Sequence, residues 1–155
     1  GNFSDQVDLD YCEAVVADSK FIYYSDGINQ NGDGLDLSGS IVVVNNNQFS
    51  NFLDKGLSVG EESSVLIYEN NFLNNNSAIT VKDLSKAYIL NNKFNDNIFD
   101  VSAYKKKQIF GGGLVYLKPK KLKLKKDQWS EFLDIGTNEM QSIENTFYHL
   151  KIDRP

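Results

Sequence analysis

A repeat of about 22 residues runs through most of this chain and limits the folds that it can adopt. Each full copy opens on an aliphatic residue and closes on a phenylalanine. The opening residues are Leu35, Leu57 and Ile79, which are 22 residues apart at each step. The closing residues are Phe49, Phe72 and Phe94, which are 23 and 22 residues apart. The repeat is shorter than helical repeats such as the ankyrin and tetratricopeptide units.

Two short segments with alternating apolar residues make up each copy, and they are joined by Gly, Ser and Asn. An alternation with a period of two predicts strands rather than helices. The pairs predicted to point inward from the first strand are Leu35/Leu37, Leu57/Val59, Ile79/Val81 and Val101/Ala103. Those of the second strand are Val42/Val44, Val65/Ile67 and Ala87/Ile89. An upstream copy begins at Val7, 28 residues before Leu35, and a weaker downstream copy begins at Val101.

The Asn-Asn-x-Phe element, together with the segment Gly-Leu-Asp-Leu at residues 34–37, resembles the repeat of right-handed parallel β-helix proteins of the pectin-lyase-like superfamily. This resemblance covers about residues 5–117 and implies an all-β fold with about five rungs. Rungs of such a solenoid stack at about 4.8 Å, so equivalent residues form ladders. We expect an interior phenylalanine ladder that includes Phe21, and an asparagine ladder of Asn47, Asn70 and Asn92 at one turn.

The C-terminal part of the chain is predicted to cover the open end of the solenoid. We place the boundary between the rungs, 1–117, and a cap formed by a basic strand and a short helix, 118–155. Asp127 is suited to an N-cap and Gly136 to a C-cap, which predicts a helix over 127–136. Tyr148, Leu150 and Ile152 alternate as in a terminal strand.

Charge is separated along the chain, although the net charge is only -5. Residues 1–100 carry 5 Lys and 15 acidic residues, whereas residues 101–126 carry 9 Lys and no acidic residue. The Lys run has no interleaved aromatic residues, so we do not expect nucleic-acid binding. The single cysteine excludes an intrachain disulfide. Neither a transmembrane-length apolar run nor a signal peptide is present, and the fold type favours a secreted or cell-envelope location.

The outer face of the first strands is predicted to be polar and rigid, which suits an extended polysaccharide. It carries candidate acid–base residues for a lyase, epimerase or hydrolase: Asp36, Lys55, Glu61, Lys82 and Asp83. Such enzymes need a base, or two carboxylates at a defined separation. Against catalysis, the only Arg is Arg154 in the tail, and no His lies on the repeats. The alternative is a solvated face with ion pairs between rungs.

The outer face of the second strands is predicted to be apolar, through Val15, Val43, Leu66 and Tyr88. Such a patch is normally covered. Three interpretations are open: the C-terminal segment covers it, a protein partner or a second copy covers Val43, Leu66 and Tyr88, or the register is misassigned.

The basic segment is a second candidate for ligand binding. Lys121, Lys123 and Lys125 alternate with Leu122 and Leu124, which predicts a strand with one Lys face. Together with Tyr104, these Lys residues are candidates for binding an anionic polysaccharide or lipid headgroup. Alternatively, they neutralise the acidic rungs or protect an edge strand from pairing.

The loop Asn29–Asp36 clusters side-chain oxygens around glycine, a composition that suits calcium, although it lacks the length and closing Glu of an EF-hand. No other cofactor is expected. Two functional hypotheses follow: a non-catalytic β-helix module that contacts carbohydrate or a partner protein, or a polysaccharide-active enzyme.

Overall fold

The computed structural model describes residues 5–24, 32–118 and 121–150, and forms a parallel β-helix with three sheets. Sheet A consists of β1 (Val7–Asp10), β4 (Leu35–Ser38), β7 (Lys55–Gly60), β10 (Ser77–Lys82), β13 (Phe99–Tyr104) and β15 (Leu124–Lys126). Sheet B consists of β2 (Glu13–Ala17), β5 (Ile41–Asn45), β8 (Ser64–Tyr68), β11 (Lys86–Leu90), β14 (Leu114–Leu117) and β16 (Glu131–Asp134). Sheet C consists of β3 (Lys20–Ile22), β6 (Gln48–Ser50), β9 (Asn71–Leu73) and β12 (Lys93–Asn95).

The predicted register is confirmed. Val7 pairs with Leu35, Leu35 with Leu57, and Ile79 with both Leu57 and Val101. All the predicted inward pairs are buried, and most of their side chains have no exposed surface. The core inside the solenoid therefore contains aliphatic residues that repeat from rung to rung.

Ladders of identical residues hold the rungs together, as expected. The rings of Phe21, Phe49, Phe72 and Phe94 stack with centroid separations of 4.7, 5.0 and 5.3 Å. The Asn47 side chain donates to Asn70 Oδ1 at 3.1 Å, and the Asn70 side chain donates to Asn92 Oδ1 at 3.0 Å. A second ladder, not predicted, links Asn75 to Asn97 at the corner between sheets C and A.

Backbone geometry at the corners explains why Asn and Asp are frequent. The residue before each ladder asparagine has a positive φ: 54° at Asn46, 57° at Glu69, 54° at Asn91, 58° at Asn74 and 57° at Asp96. Asn and Asp adopt this left-handed conformation more readily than other non-glycine residues. Each corner is thus a left-handed residue followed by an asparagine that satisfies backbone groups of the neighbouring rung.

The predicted helix over 127–136 is wrong. Residues Glu131–Asp134 form β16, which pairs with β14 and places Phe132 against the core. The Asp127 carboxylate caps a turn instead of a helix, since it accepts hydrogen bonds from Lys105 N and Trp129 N. The open edge of β14 offers backbone partners, and this tertiary pairing overrides the local helix signal. The part of the chain after residue 117 therefore adds two more strands, β15 and β16, to sheets A and B.

The helix lies later in the chain. Helix α1 (Thr137–Phe147) begins after Gly136, whose N–H is bound by the Glu139 carboxylate at 2.8 Å. A short 3₁₀ helix, Tyr148–Leu150, follows it where a strand was predicted, so that prediction is also wrong; Ile152 is outside the described residues. No helix in the described part of the chain is long and apolar enough to cross a membrane.

Helix α1 covers the apolar outer ladder of sheet B at Val43, Leu66 and Tyr88, whereas Val15 stays 39% exposed. Ile143 and Phe147 pack on Val43 and Tyr88, which are only 4% and 3% exposed. The rings of Phe147 and Tyr88 form a T-shaped pair with their centroids 6.0 Å apart. Of the three interpretations, cover by the chain's own C-terminal segment is the observed arrangement. Among the described residues, no helix packs on the polar outer face of sheet A, and this face is the candidate functional surface.

Candidate functional site

The outer face of sheet A changes its chemistry from rung to rung. One ladder of side chains runs Asp8, Asp36, Ser58, Thr80, Ser102 and Lys125, in consecutive register from β1 to β15. Carboxylates therefore occupy the first two rungs, hydroxyl groups the next three, and an ammonium the last. The face presents an ordered series of hydrogen-bonding groups on rigid strands.

A shallow notch of about 140 Å³ lies on the last rungs of this face. Hydroxyl groups on its floor form a chain, in which Thr80 Oγ1 donates to Ser77 Oγ at 2.9 Å and Ser77 Oγ donates to Ser102 Oγ at 3.1 Å. The remaining lining residues are Asp54, Lys55, Asn76, Phe99, Tyr104 and Lys125. The notch thus combines aromatic rings, fixed hydroxyls and ammonium groups.

Lys125 contributes an ammonium group to the notch, in addition to that of Lys55, and Tyr104 contributes a phenol. The Lys125 ammonium lies over the Phe99 ring, 5.0 Å from its centroid. Burial raises the pKa of Tyr104, while the charge of Lys55 opposes that shift. The phenol of Tyr104 is therefore protonated at neutral pH and available to donate a hydrogen bond.

Lys55 is held between two carboxylates. Its ammonium lies 2.8 Å from Asp54 and 3.5 Å from Asp33. Burial acts to lower the pKa of Lys55, but the hydrogen bond to Asp54 and the charge of Asp33 raise it overall. Lys55 is therefore a fixed cation and a poor proton acceptor at neutral pH.

The pKa of Lys82 is shifted in the opposite direction to that of Lys55. Its side chain is 7% exposed and lies over Gly60, where an added Cβ would be 3.0 Å from Lys82 Cε. Burial lowers the pKa of Lys82, and the nearby charge of Lys55 lowers it further, against the attraction of Asp36. Among the five predicted acid–base residues, Lys82 is the one whose environment favours a neutral amine.

Glu61 and Asp83 hold the basic loop that follows β13. The Asp83 carboxylate is 1% exposed and accepts hydrogen bonds from Lys106 N at 2.8 Å and Lys107 N at 2.9 Å. The Glu61 carboxylate contacts the Lys107 ammonium. The structure therefore brings Asp36, Lys55 and Lys82 to the polar face, whereas Glu61 and Asp83 anchor a corner.

Several basic side chains make contacts within the chain. Lys123 Nζ donates to Asn97 O at 2.6 Å, and the Lys105 ammonium lies 4.1 Å from the Trp129 ring centroid. Lys121 is exposed, has a φ of 49°, and does not line the notch among the described residues. Of the four predicted binding residues, the structure places Lys125 and Tyr104 together in the notch.

Asp54, Ser77 and Phe99 of this face were not singled out from the sequence, and Asp33 was named only as part of the candidate calcium loop. Strict alternation assigns Phe99 to the interior, because it shares the parity of Val101. Phe99, Ser77 and Lys55 are in register at the starts of their strands, where the chain turns out of sheet C. Lys55, Ser77 and Phe99 are 22 residues apart at each step, and this spacing was the sequence signal that could have placed Phe99 on this face.

Asp33 gives the face a pH-dependent stability. Burial raises the pKa of Asp33 from 3.8 to about 6, despite the opposing charge of Lys55. A raised folded-state pKa means that the stability gained by protonating Asp33 is complete below about pH 4 and is lost as the pH rises through 6. We expect the Asp33→Asn variant to lack this loss, which amounts to about 3 kcal/mol at most. Urea unfolding of both proteins at pH 4 and pH 7 measures the difference, and equal pH dependence would contradict the assignment.

Comparison with protein families matches residues 3–126 to the model described as a right handed beta helix region. Comparison with curated proteins and with solved structures finds no significant match. The match covers most of the chain and agrees with the parallel register of all three sheets. The chain therefore belongs to the right-handed β-helix family.

Proposed function

We propose that this chain is a non-catalytic binding module whose outer face of sheet A holds an acidic polysaccharide. The ligand lies across the rungs, with its centre at the notch formed by Phe99, Ser102, Tyr104 and Lys125. The role places the protein in a secreted or cell-envelope setting, where such polymers occur.

The observation that carries this proposal is the composition of the notch. A sugar ring presents an apolar face and a rim of hydroxyls, and binding sites commonly pair aromatic surface with a few placed polar groups. Phe99 supplies the ring, and the chain from Thr80 through Ser77 to Ser102 supplies fixed hydroxyls. Lys125 supplies a cation for a carboxylate or sulfate group.

The charge distribution favours an anionic ligand at this end of the face. Lys125 has no acidic partner within the distance of a salt bridge among the described residues. Lys106 and Lys55 both contribute positive potential nearby, since both lower the pKa of Lys82. An anionic polymer is therefore attracted to the last rungs and repelled by Asp8 and Asp36 on the first two.

Binding to immobilised glycans tests this function. We expect the protein to bind polygalacturonate, alginate or a sulfated glycan, and Lys125→Glu to weaken that binding at least tenfold (about 1.4 kcal/mol). Phe99→Ala should weaken it as well, through loss of the stacking surface. Lys93→Glu is the matched control, since Lys93 is an exposed Lys on sheet C. Equal affinity of Lys125→Glu and Lys93→Glu would contradict the proposal.

A polysaccharide lyase is the second candidate function, and Lys82 is the observation that favours it. An amine with a lowered pKa on a polysaccharide-binding face can remove a proton next to a uronate carboxylate. Absorbance at 235 nm during incubation with polygalacturonate or alginate detects the unsaturated product. Turnover that disappears in Lys82→Met would establish the enzyme and contradict the non-catalytic module.

A further inference from the structure

A group of carboxylates lies on the first two rungs, on the far side of Lys55 from the Phe99 end of the notch. Asp5, Asp33 and Asp36 each place a carboxylate oxygen within 4.8 Å of the other two. Asp33 is 6% exposed, and its N–H donates to Asp5 Oδ1 at 2.7 Å. The three side chains come from two segments, since Asp5 precedes β1 while Asp33 and Asp36 flank the start of β4.

Nearby charges leave this group with excess negative charge. Lys55 is the closest cation, but its ammonium lies nearer Asp54, at 2.8 Å, than Asp33, at 3.5 Å. Lys82 adds a second, weaker attraction towards Asp36 and Asp33. Asp8 and Asp10 lie on the same side of the first rung, and the pKa of Asp8 is raised by burial and by Asp10, Asp36 and Asp5. Within the part of the chain that the structure describes, two ammonium groups therefore face six carboxylates.

An independent observation concerns the side chain next to Asp36. Ser58 is the register neighbour of Asp36 on β7, and its hydroxyl points to the same outer face. Ser58 has no exposed surface, and its Oγ has no hydrogen-bond partner among the described residues. A buried hydroxyl without a partner is unusual, and a bound ion next to it would satisfy it. Adjacent rungs are about 4.8 Å apart, which puts the Ser58 side chain next to that of Asp36.

We propose that Asp5, Asp33 and Asp36, with Ser58 beside them, form a structural calcium site that ties the first rung to the second. Oxygen ligands of Ca²⁺ lie at about 2.3–2.6 Å from the ion, so ligands on opposite sides are about 5 Å apart. The observed spacing of at most 4.8 Å is within that limit. Carboxylates and a hydroxyl are hard oxygen donors, and waters complete the coordination of a flexible site.

The site is related to the sequence-predicted calcium loop but is not the same. Asn29, Gln30 and Asn31 of that loop are outside the described residues. Asp33 and Asp36 belong to it, whereas Asp5 comes from 28 residues before Asp33. The ion joins the start of the first described rung to the second, so its role is to fasten these two rungs to each other.

Calcium binding to the whole chain, after treatment with EDTA, tests the proposal by titration calorimetry. We expect one Ca²⁺ per chain, and a rise in Tm of about 5 °C when Ca²⁺ is at 100 times its Kd. Asp36→Asn and Asp33→Asn should each weaken binding at least tenfold. Asp96→Asn is the matched control, because Asp96 is exposed in a turn far along the chain. Asp36 is partly exposed, so its variant keeps the test valid even if Asp33→Asn folds poorly.

Three results would overturn the proposal. The first is an absence of both binding heat and Tm shift with CaCl₂. The second is the same Ca²⁺ affinity in Asp36→Asn as in Asp96→Asn, which would place the ion elsewhere. The third is equal binding of MgCl₂, which would contradict a calcium site. Ser58→Ala adds an independent readout, since loss of this ligand should lower Ca²⁺ affinity while the Ca²⁺-free protein keeps its Tm.

Discussion

Replacing Phe72 by alanine is expected to lower the free energy of unfolding by about 4 kcal/mol. The Phe72 side chain has no exposed surface, and its ring stacks on Phe49 at 5.0 Å and on Phe94 at 5.3 Å. The substitution removes apolar burial and leaves a cavity in the middle of the ladder, with one ring on each side. Each rung contacts only its neighbours, so the substitution weakens the contact between the first two rungs and the rest of the solenoid.

Urea unfolding measures this change, with Ile98→Ala as the matched control. The Ile98 side chain is 62% exposed at a corner, so its truncation should change the free energy of unfolding by less than about 0.5 kcal/mol. A Phe72→Ala loss as small as that of the control would contradict a ladder that stabilises the rungs.

Replacing Asn70 by alanine is expected to cost about 3–5 kcal/mol, through unpaired backbone groups rather than lost apolar burial. Asn70 Oδ1 accepts hydrogen bonds from Asn47 N at 2.9 Å and from the Asn47 side chain at 3.1 Å. Asn70 Nδ2 donates to Val44 O at 2.9 Å and to Asn92 Oδ1 at 3.0 Å. Alanine satisfies none of these groups, and the corner is too buried for water to replace them freely.

The control for this position is Asn76→Ala. Asn76 is exposed, and its backbone N–H, which the substitution retains, bonds Phe52 O at 2.9 Å. We expect its free energy of unfolding to stay within about 0.5 kcal/mol of the parent chain. Should both substitutions have the same small effect, the Asn70 side chain would have no part in holding the rungs.

The regular part of the fold was predictable because one rule repeats. An inward pair such as Leu57 and Val59 recurs at a fixed spacing, and a slip of one residue would expose it to water. The end of the solenoid was not predictable in this way. Residues 131–134 form a strand because β14 offers an edge to pair with, and no local pattern encodes that partner.

The residues of the polar face were predictable where side chains alternate regularly along the strands of sheet A. They were not predictable at the corners and loops, where this alternation ends. Register alone placed Asp36, Lys82 and Tyr104 on the outer side of sheet A. Phe99 reaches the notch because its strand begins at a corner, where alternation no longer holds. Asp33 joins Lys55 through a contact between loop and strand, and such contacts depend on packing in three dimensions.

The outer faces of sheets A and B differ in what packs on them, and this difference supports the proposal that sheet A is the binding surface. Sheet B presents an apolar ladder, and α1 covers it within the same chain. Sheet A presents charged and hydroxyl groups, and the helix does not pack on it among the described residues. The polar face has carboxylates at one end and Lys125 at the other.

Amide chemical-shift changes on titration with a uronate oligosaccharide test the binding face most directly. We predict that the largest changes in a ¹⁵N-labelled chain occur at Thr80, Phe99, Ser102, Tyr104 and Lys125, with residues of sheets B and C little affected. Lys125→Glu should abolish these changes at the same ligand concentration. Changes centred on α1 or sheet C, or changes that persist in Lys125→Glu, would contradict the assignment of sheet A as the binding surface.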